Sequence, residues 1–551
     1  MQAGNSDESS SADATGNITF LTPTADAVKI LSLNDLVISL TEDVYEYLAK
    51  QYAILDDGHA ENPLKRHRQN NGRNCQGTLK SKTHLDKMMG YLKYPPADTC
   101  CRVNLISSSV DEVVAELTNH LKEQNSNYSY SIKQHEKIED LVVIRGGSSQ
   151  SSTGMDELYL FNSPQKVSST RIEENELQLS ALKKRRGRGW PMTHRVVVVD
   201  RFCGEAVLRG ANIFVKGIIC ADAGIWKGEE IAVYADIRLS KSKSLTRGLL
   251  LENYSGRCVF LGIGISCCKR SEYFSQSTGI GVRMTQTAGP PQPPLNGVLG
   301  GKMMLQNLPS IVVGKALDPQ KGDAILDMCC APGGKTSHLA SLMNNDGFII
   351  ACDKSRKKMI SVRDFFQSMG ATCIIPLALD STKSLLELQS SQCWRSPKEI
   401  VDAASSSKKD GLLDVEGFYS DSFDRILLDP PCSALGLRPK LLIEAQTSAD
   451  LMKHAEYQRH FVRNAIPLLK SGGTMTYSTC TINTAENEEM VKFILSEFPC
   501  MKLVPISPEL PGCAGLPGVG LTDQQRGMVK RFDPSGEADT MGFFAAKFSK
   551  Q

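Results

Sequence analysis

Two cysteines sit where a chain can carry out covalent chemistry. Cys432 follows Leu427-Leu428-Asp429-Pro430-Pro431, and Cys480 follows Tyr477-Ser478-Thr479, each just past an apolar, strand-like run. A lone cysteine in such a place is usually a small core residue. Two at paired strand ends, one beside Asp-Pro-Pro and one beside Ser-Thr, point to a thiolate nucleophile. A third stretch offers a place for a cosubstrate. Asp327-Met328-Cys329-Cys330-Ala331-Pro332-Gly333-Gly334-Lys335 joins the apolar Ala324-Ile325-Leu326 to a segment, Thr336 to Leu342, that can wind as a helix. Its glycines let backbone approach a ligand, and the free N–H groups of a helix start favour an anion. The phosphate-loop pattern fails, because Cys329 stands where its first glycine is required. A ligand carrying adenosine and a carboxylate fits better. Asp327, Asp353 and Asp380 end successive strand-like runs. Asp353, about twenty residues past the glycine turn, is placed to accept both ribose hydroxyls. Asp380, one strand further, can meet an exocyclic amine of adenine.

These residues need a frame that brings strand ends together. Strands are predicted at 324–328, 348–353, 373–379, 424–428, 474–478 and 543–548, with helices between them, among them 451–469 and 486–495. That alternation predicts an α/β fold with a doubly wound sheet and its ligand at the carboxyl ends of the strands. Residues 389–420, with Ser405-Ser406-Ser407-Lys408-Lys409-Asp410, read as a surface insertion. Upstream, short β-branched runs at 196–199, 213–215, 231–233 and 259–261, separated by glycine turns, predict a small all-β barrel. Before it lies a small α/β region. A helical rhythm runs from about 27 to 55, and strands are expected near 101–104 and 140–144. The Ser109/Glu112 spacing predicts a capped helix over 110–123.

The expected division is a disordered tail over 1–25, the α/β region with its basic linker over 26–190, the barrel over 191–288 and the catalytic domain over 289–551. The run Lys183-Lys184-Arg185-Arg186-Gly187-Arg188 reads as a solvated linker or an RNA-contacting arm. With 63 basic and 61 acidic residues among 551, any nucleic-acid surface must be a local patch. The 17 cysteines include no Cys-x-x-Cys pair, which argues against structural zinc, so no metal is expected. No segment approaches a membrane span, and reduced thiols suit the cytoplasm, with the nucleus as the alternative.

Ala-Pro-Gly-Gly-Lys-Thr, Asp-Pro-Pro-Cys-Ser and Tyr-Ser-Thr-Cys-Thr, followed by Glu486-Asn487-Glu488, resemble the Sun-family RNA cytosine-C5 methyltransferases over residues 295–551. Gly204 to Ala211, Val215-Lys216-Gly217-Ile218 and Lys227-Gly228-Glu229 resemble a PUA domain. Arg102-Val103-Asn104 extends the likeness towards the subfamily that methylates a cytosine at the tRNA acceptor end. The resemblance implies a Rossmann-like methyltransferase fold with S-adenosylmethionine as donor, held by residues 329–335 (Cys329, Cys330, Ala331, Pro332, Gly333, Gly334 and Lys335) with Asp353, Lys357, Asp380 and Asp429. It implies Cys480 as nucleophile, Cys432 as helper in product release, Asp429 against the base and Lys335 as orienting cation. A DNA-type arrangement would instead make Cys432 the nucleophile. In the barrel, Arg209, Lys216 and Lys227 are expected to meet RNA, most of all a tRNA CCA end. The competing expectation is a catalytically silent RNA-binding factor that keeps the fold.

Overall fold

The computed structural model describes residues 29–56, 83–124, 128–148, 194–238, 247–388, 393–405, 410–444 and 446–551. The tail 1–25, the basic interruption 58–78, the serine-rich stretch after Ser148 and the basic run 183–188 lie outside the described residues.

Ala324–Asp327 and its neighbours are near-continuous aliphatic runs, which a parallel sheet buried on both faces requires. The strand order is Ile374–Leu377, Phe348–Cys352, Ala324–Asp327, Phe423–Leu428, Leu469–Thr479, Phe543–Lys550 and Met501–Val504. The first five are parallel. Phe543–Lys550 runs antiparallel and also pairs with Met501–Val504 and Lys530–Phe532. All six expected strands are present, and the last two short ones are additions. Strand order reverses between Ala324–Asp327 and Phe423–Leu428. Ligands of open α/β sheets bind beside that switch point, above the carboxyl ends. Among the described residues no helix is long and apolar enough to cross a membrane.

The segment expected as a surface insertion is partly core. Ser396 caps the helix Pro397–Asp402, which buries Ile400 and Val401. Leu412 and Phe418 are also buried, and Phe418 meets Phe423 edge-on at 5.2 Å. The serine and lysine run masked these apolar residues in composition. Residues 389–392 and 406–409 lie outside the described set.

The β-domain holds an eight-stranded sheet in the order Ile213–Phe214, Ile280–Thr287, Arg257–Ser266, Glu230–Asp236, Arg195–Val199, Ile218–Ala221, Leu249–Leu250. Its eighth strand is Lys29–Leu31, parallel to Arg257–Val259. The helix expected over 27–55 therefore spans only Glu42–Asp56. Ser32 and Asp35 bond to each other's polar groups and turn the chain, and edge pairing overrides the helical rhythm before that point. The helix Arg201–Leu208, capped by Asp200, lies so close to the sheet that a Cβ at Gly204 would sit 2.5 Å from that of Ala235. Leu33, Leu48, Leu92, Val207 and Leu261 share one core with Leu435, Leu441, Leu451 and Ile482 of the catalytic domain. The β-domain and the catalytic domain are thus packed as one body.

The N-terminal sheet pairs Asp98–Val103, Tyr128–His135 and Ile138–Ser148. It takes its edge strand, Met303–Leu305, from beyond the proline-rich segment Gly289-Pro290-Pro291-Gln292-Pro293-Pro294. The helix Val110–Gln124 covers it with Val113, Leu117 and Leu121, and Ser109 accepts the Glu112 amide as a cap. Glu112 itself reaches Ser108 instead of closing the box.

Two buried polar links fix this sheet to the cofactor-turn helix Gly334–Leu342. Arg102 donates to the Ser337 hydroxyl at 2.7 Å and to the Gly334 carbonyl at 3.4 Å. Asp140 meets His338 Nε2 at 2.9 Å and Lys315 at 3.2 Å, with both Asp140 and His338 fully buried. Burial pulls the His338 imidazole down to about 4 from an ordinary 6.5, although Asp140 opposes the change. The folded state keeps the ring neutral while the unfolded chain protonates it near 6.5. Stability from this group is therefore complete above about 6.5 and is lost as pH falls towards about 4. By pH 5 the loss should reach about 2 kcal/mol in urea denaturation. His338→Asn should remove that slope, and an unchanged pH dependence in the variant would take His338 out of the titration.

Candidate active site

The cofactor turn is built by its first residue. Asp327, at the end of its strand, is buried and accepts the Cys329 amide at 3.1 Å and the Thr336 hydroxyl at 2.7 Å, closing the turn on itself. Burial pushes its carboxyl up to about 7, with the Thr336 and Cys329 bonds working the other way. Gly333 starts the helix at φ +102, where a Cβ would meet Phe366 at 2.8 Å. Only glycine holds that conformation without strain. Gly334 and Lys335 occupy the first turn, where helix amides lack an intrahelical acceptor and suit a carboxylate. Cys330 contributes shape alone. Its side chain is in the core against Met359, and its amide and carbonyl are both bonded within the fold. Burial drives the Cys329 and Cys330 thiols well above the ordinary range.

Two carboxylates line the next strand ends. Asp353 follows Phe348–Cys352 and accepts the Ser355 amide at 2.8 Å. Asp380 caps a short turn, accepts the Thr382 hydroxyl at 2.6 Å and pairs with Lys354 at 3.0 Å. Burial opposes ionisation there, yet Thr382 and Lys354 hold the carboxyl below its usual range. Lys357 is exposed on the first turn of Arg356–Ser368. The turn amides and these two acids suit the amino-acid and adenosine ends of S-adenosylmethionine.

Across the switch point the expected reacting residues converge. Lys335 Nζ pairs with Asp429 Oδ2 at 2.6 Å and lies 5.5 Å above the Phe543 ring. Ser478 donates to the other Asp429 oxygen at 2.6 Å. Beside them the sulfurs of Cys432 and Cys480 are 3.3 Å apart. The two thiols diverge in acidity. A hydrogen bond from Cys432 is the largest influence holding Cys480 below the ordinary thiol range. Burial and Asp429 oppose it, and Lys335 and Lys440 reinforce it. Cys432 is driven well above that range, first by its bond to Cys480 and then by burial. These opposed shifts suit Cys480, of the two, to be the thiolate and Cys432 to keep the proton.

The two cysteine loops are held together by Glu486, whose role the sequence did not disclose. This fully buried carboxylate accepts the Ser433 amide at 3.0 Å, Gln458 at 2.8 Å and Asn483 at 2.9 Å. The Ser433 hydroxyl also donates to it and lies 2.7 Å from the Thr481 hydroxyl. Tyr477 donates to the Glu486 carbonyl at 2.7 Å, and Gly436 donates to the Cys480 carbonyl at 3.0 Å. Its one sequence signal is position, a glutamate soon after the second cysteine motif. Arg209, Lys216 and Lys227 lie apart from this cluster, exposed on the β-domain. Arg209 ends the helix Arg201–Leu208, Lys216 stands in the turn Val215–Gly217, and Lys227 precedes Glu230–Asp236.

Removing the Glu486 carboxylate strands several buried donors at once. Glu486→Ala should cost roughly 3–5 kcal/mol in denaturant unfolding, and Glu486→Gln, which keeps one acceptor oxygen, clearly less. A wild-type midpoint for the alanine variant would show that other contacts hold the loops.

Comparison with known proteins agrees with this geometry. The family described as 16S rRNA methyltransferase RsmB/F matches residues 314–549, and the PUA domain matches residues 195–252. The chain is 35% identical to the tRNA (cytosine(72)-C(5))-methyltransferase NSUN6 of Mus musculus, over 83% of this chain and 88% of that protein. It is 32% identical to the rRNA (cytosine-C(5))-methyltransferase NOP2C of Arabidopsis thaliana, over 85% of this chain and 88% of that protein. The crystal structure of NSun6 from Pyrococcus horikoshii with SFG is similar with a TM-score of 0.59 at 25% identity, covering 93% of this chain and 99% of that one. With a paired-cysteine site above the switch point and a PUA domain packed against it, the chain belongs to the Sun family of RNA cytosine-C5 methyltransferases.

Proposed function

We propose that this RNA cytosine-C5 methyltransferase modifies a cytosine at the acceptor end of tRNA through a covalent bond between Cys480 and C6 of the base. The observation that carries the reading is the contact of Cys432 and Cys480 beside the Lys335–Asp429 pair. Cytosine C5 is a poor nucleophile until a group adds at C6. The Cys480 thiolate forms the S–C6 bond, and the C5–C6 pair becomes available at C5. Asp429 has one oxygen bonded to Lys335 and one to Ser478. Each oxygen keeps a free lone pair for the amino group or protonated N3 of the base, where charge develops. S-adenosylmethionine, when bound at the glycine turn, supplies an electrophilic methyl group. The C5 proton then passes to water, its C–H electron pair restores the C5–C6 double bond, the S–C6 bond breaks, and that bond's pair returns to Cys480. Cys432, which retains its proton beside that sulfur, assists the release. The target must leave its base stack first, which costs least near a helix end.

Cys480→Ala should abolish methyl transfer from labelled S-adenosylmethionine while leaving RNA binding largely intact. Cys432→Ala should accumulate a denaturation-resistant protein–RNA adduct. An adduct seen with Cys480→Ala and not with Cys432→Ala would reverse the two roles. Full methylation by both variants would remove the two cysteines from the chemistry, and no methylation by the wild type would leave the silent RNA-binding reading as the better one.

Selection of an acceptor end needs a second surface, because one pocket reads one base. The mouse relative's name specifies cytosine 72 of tRNA. The exposed Lys216 and Lys227 of the β-domain suit a terminal single-stranded segment and its phosphates. The Arabidopsis relative's name favours a second reading, a ribosomal RNA substrate. The shared core means that excising the β-domain would unfold the enzyme, so surface variants are the test. Lys216→Glu with Lys227→Glu should raise KM for tRNA by about tenfold or more. Trimming the CCA end should hurt the wild type similarly. Full activity on trimmed tRNA, or faster methylation of a ribosomal RNA fragment, would overturn the acceptor-end assignment.

A further inference from the structure

The helix Glu42–Asp56 lies outside the residues matched by either family, yet it bonds to the loop behind Cys480. Its side chains meet Ile482, Asn483 and Thr484, which stand 430 to 436 residues away along the chain. Tyr52, fully buried, donates to the Ile482 carbonyl at 2.8 Å. The Tyr47 hydroxyl donates to the Asn483 side-chain oxygen at 3.2 Å, and the Gln51 side-chain oxygen accepts the Thr484 amide at 3.3 Å. Tyr47 and Gln51 are one turn apart on the same helix face. The helix is itself anchored at both ends. Asp43 accepts the Ser448 amide at 2.6 Å and its hydroxyl at 2.9 Å, which docks the helix on the one that carries Gln458. Arg531 donates to the Tyr52 hydroxyl and, at 2.6 Å, to the Ile482 carbonyl. Val44, Leu48 and Tyr52 sit in the core shared by the β-domain and the catalytic domain.

From Tyr47 a chain of hydrogen bonds runs to both sulfur loops. The Asn483 oxygen accepts from Tyr47 and from the Ala485 amide at 3.3 Å, which turns the Asn483 amide nitrogen towards Glu486. That nitrogen donates to Glu486 at 2.9 Å, and Glu486 accepts the Ser433 amide, next to Cys432, at 3.0 Å. The Met452 sulfur, 3.3 Å from the Tyr47 hydroxyl, is a weaker acceptor than the amide oxygen. Asn483 stands three residues past Cys480, so the orientation of its side chain bears on both loops that set the 3.3 Å sulfur contact. Reacting groups tolerate little displacement from a productive geometry. We infer that Tyr47 is a positioning residue for the Cys432–Cys480 pair, acting through Asn483 and Glu486. The N-terminal helix is then a working part of the active site as well as a part of the core. The inference rests on the proposed role of the two cysteines in the reaction.

The test compares two single-hydroxyl deletions in the full-length protein. Tyr47→Phe removes the donor to Asn483 and keeps the ring. Tyr45→Phe, on the same helix, is the control, because its hydroxyl donates to Asp86 of the helix His84–Tyr91 at 3.0 Å. Steady-state methylation of tRNA gives kcat and KM. Diamide oxidation of the RNA-free protein, followed by peptide mass spectrometry, reports how readily the two sulfurs meet. In that reaction the two thiols give two electrons and two protons to diamide, leaving a Cys432–Cys480 disulfide and the hydrazine. Tyr47→Phe should lower kcat and slow disulfide formation, each by about threefold to tenfold, with both KM values unchanged. Tyr45→Phe should match the wild type in kcat and disulfide rate, and the two variants should unfold at similar midpoints. A wild-type kcat in Tyr47→Phe overturns the inference whatever the disulfide rate. Equal losses in both variants also overturn it, since the helix would then be general support. So does a rise in KM for RNA alone, which would make Tyr47 an RNA contact. Failure of the cysteine roles would appear differently, as methylation by Cys480→Ala while Tyr47→Phe still slowed the disulfide.

Discussion

The buried Glu486 carboxylate is the constraint on which the active site depends. A carboxylate without solvent is tolerated only when donors surround it, and here Ser433, Gln458 and Asn483 converge from separate elements. Each donor that satisfies the charge also fixes a loop. Ser433 follows Cys432, Asn483 follows Cys480, and Gln458 belongs to the helix Ser448–Leu468 that packs over both. The adjacent Glu488 repeats the device, with Arg531 bonded to both its oxygens at 2.7 Å and to the Ile482 carbonyl at 2.6 Å. Sulfurs from two different strands are thereby held in contact before any base arrives.

That contact divides the labour between two chemically identical side chains. A shared proton cannot serve both sulfurs, so stabilising one as thiolate keeps the other protonated. In the proposed mechanism the attacking group and the group that assists release therefore emerge from one sulfur–sulfur contact, with the Lys335–Asp429 pair beside it. The same principle appears at the cofactor turn. Asp327 is spent on closing the loop, while Asp353 and Asp380 stand half-buried at the next strand ends.

The three parts of the chain are joined by core and by buried polar links. Arg102 and Asp140 of the N-terminal sheet bond to the helix that begins at the cofactor turn. The β-domain shares aliphatic core with Leu435 and Leu441, on the loop after Cys432, and with Ile482 after Cys480. The β-domain surface is therefore held at a fixed distance from the two sulfurs, as the proposed selection of one cytosine by its distance from an RNA end requires.

The alternating strand and helix pattern, the glycine turn and the two cysteine motifs were legible in the sequence, because each is local. Parallel strands buried on both faces must be aliphatic, a helix that starts at φ +102 must start with glycine, and reacting side chains must end strands. Where local rhythm competed with distant partners, it misled. Lys29–Leu31 is a strand because an edge of the β-domain sheet was available to it, and Ile400 and Phe418 are core because a neighbouring surface needed covering. The partners of Glu486 and the ion-pair state of Lys335 could come only from tertiary structure. Sequence specifies which groups a chain carries, but the acidity of a thiol depends on which charges and donors the fold brings within a few ångströms of it, and those lie far apart along the chain.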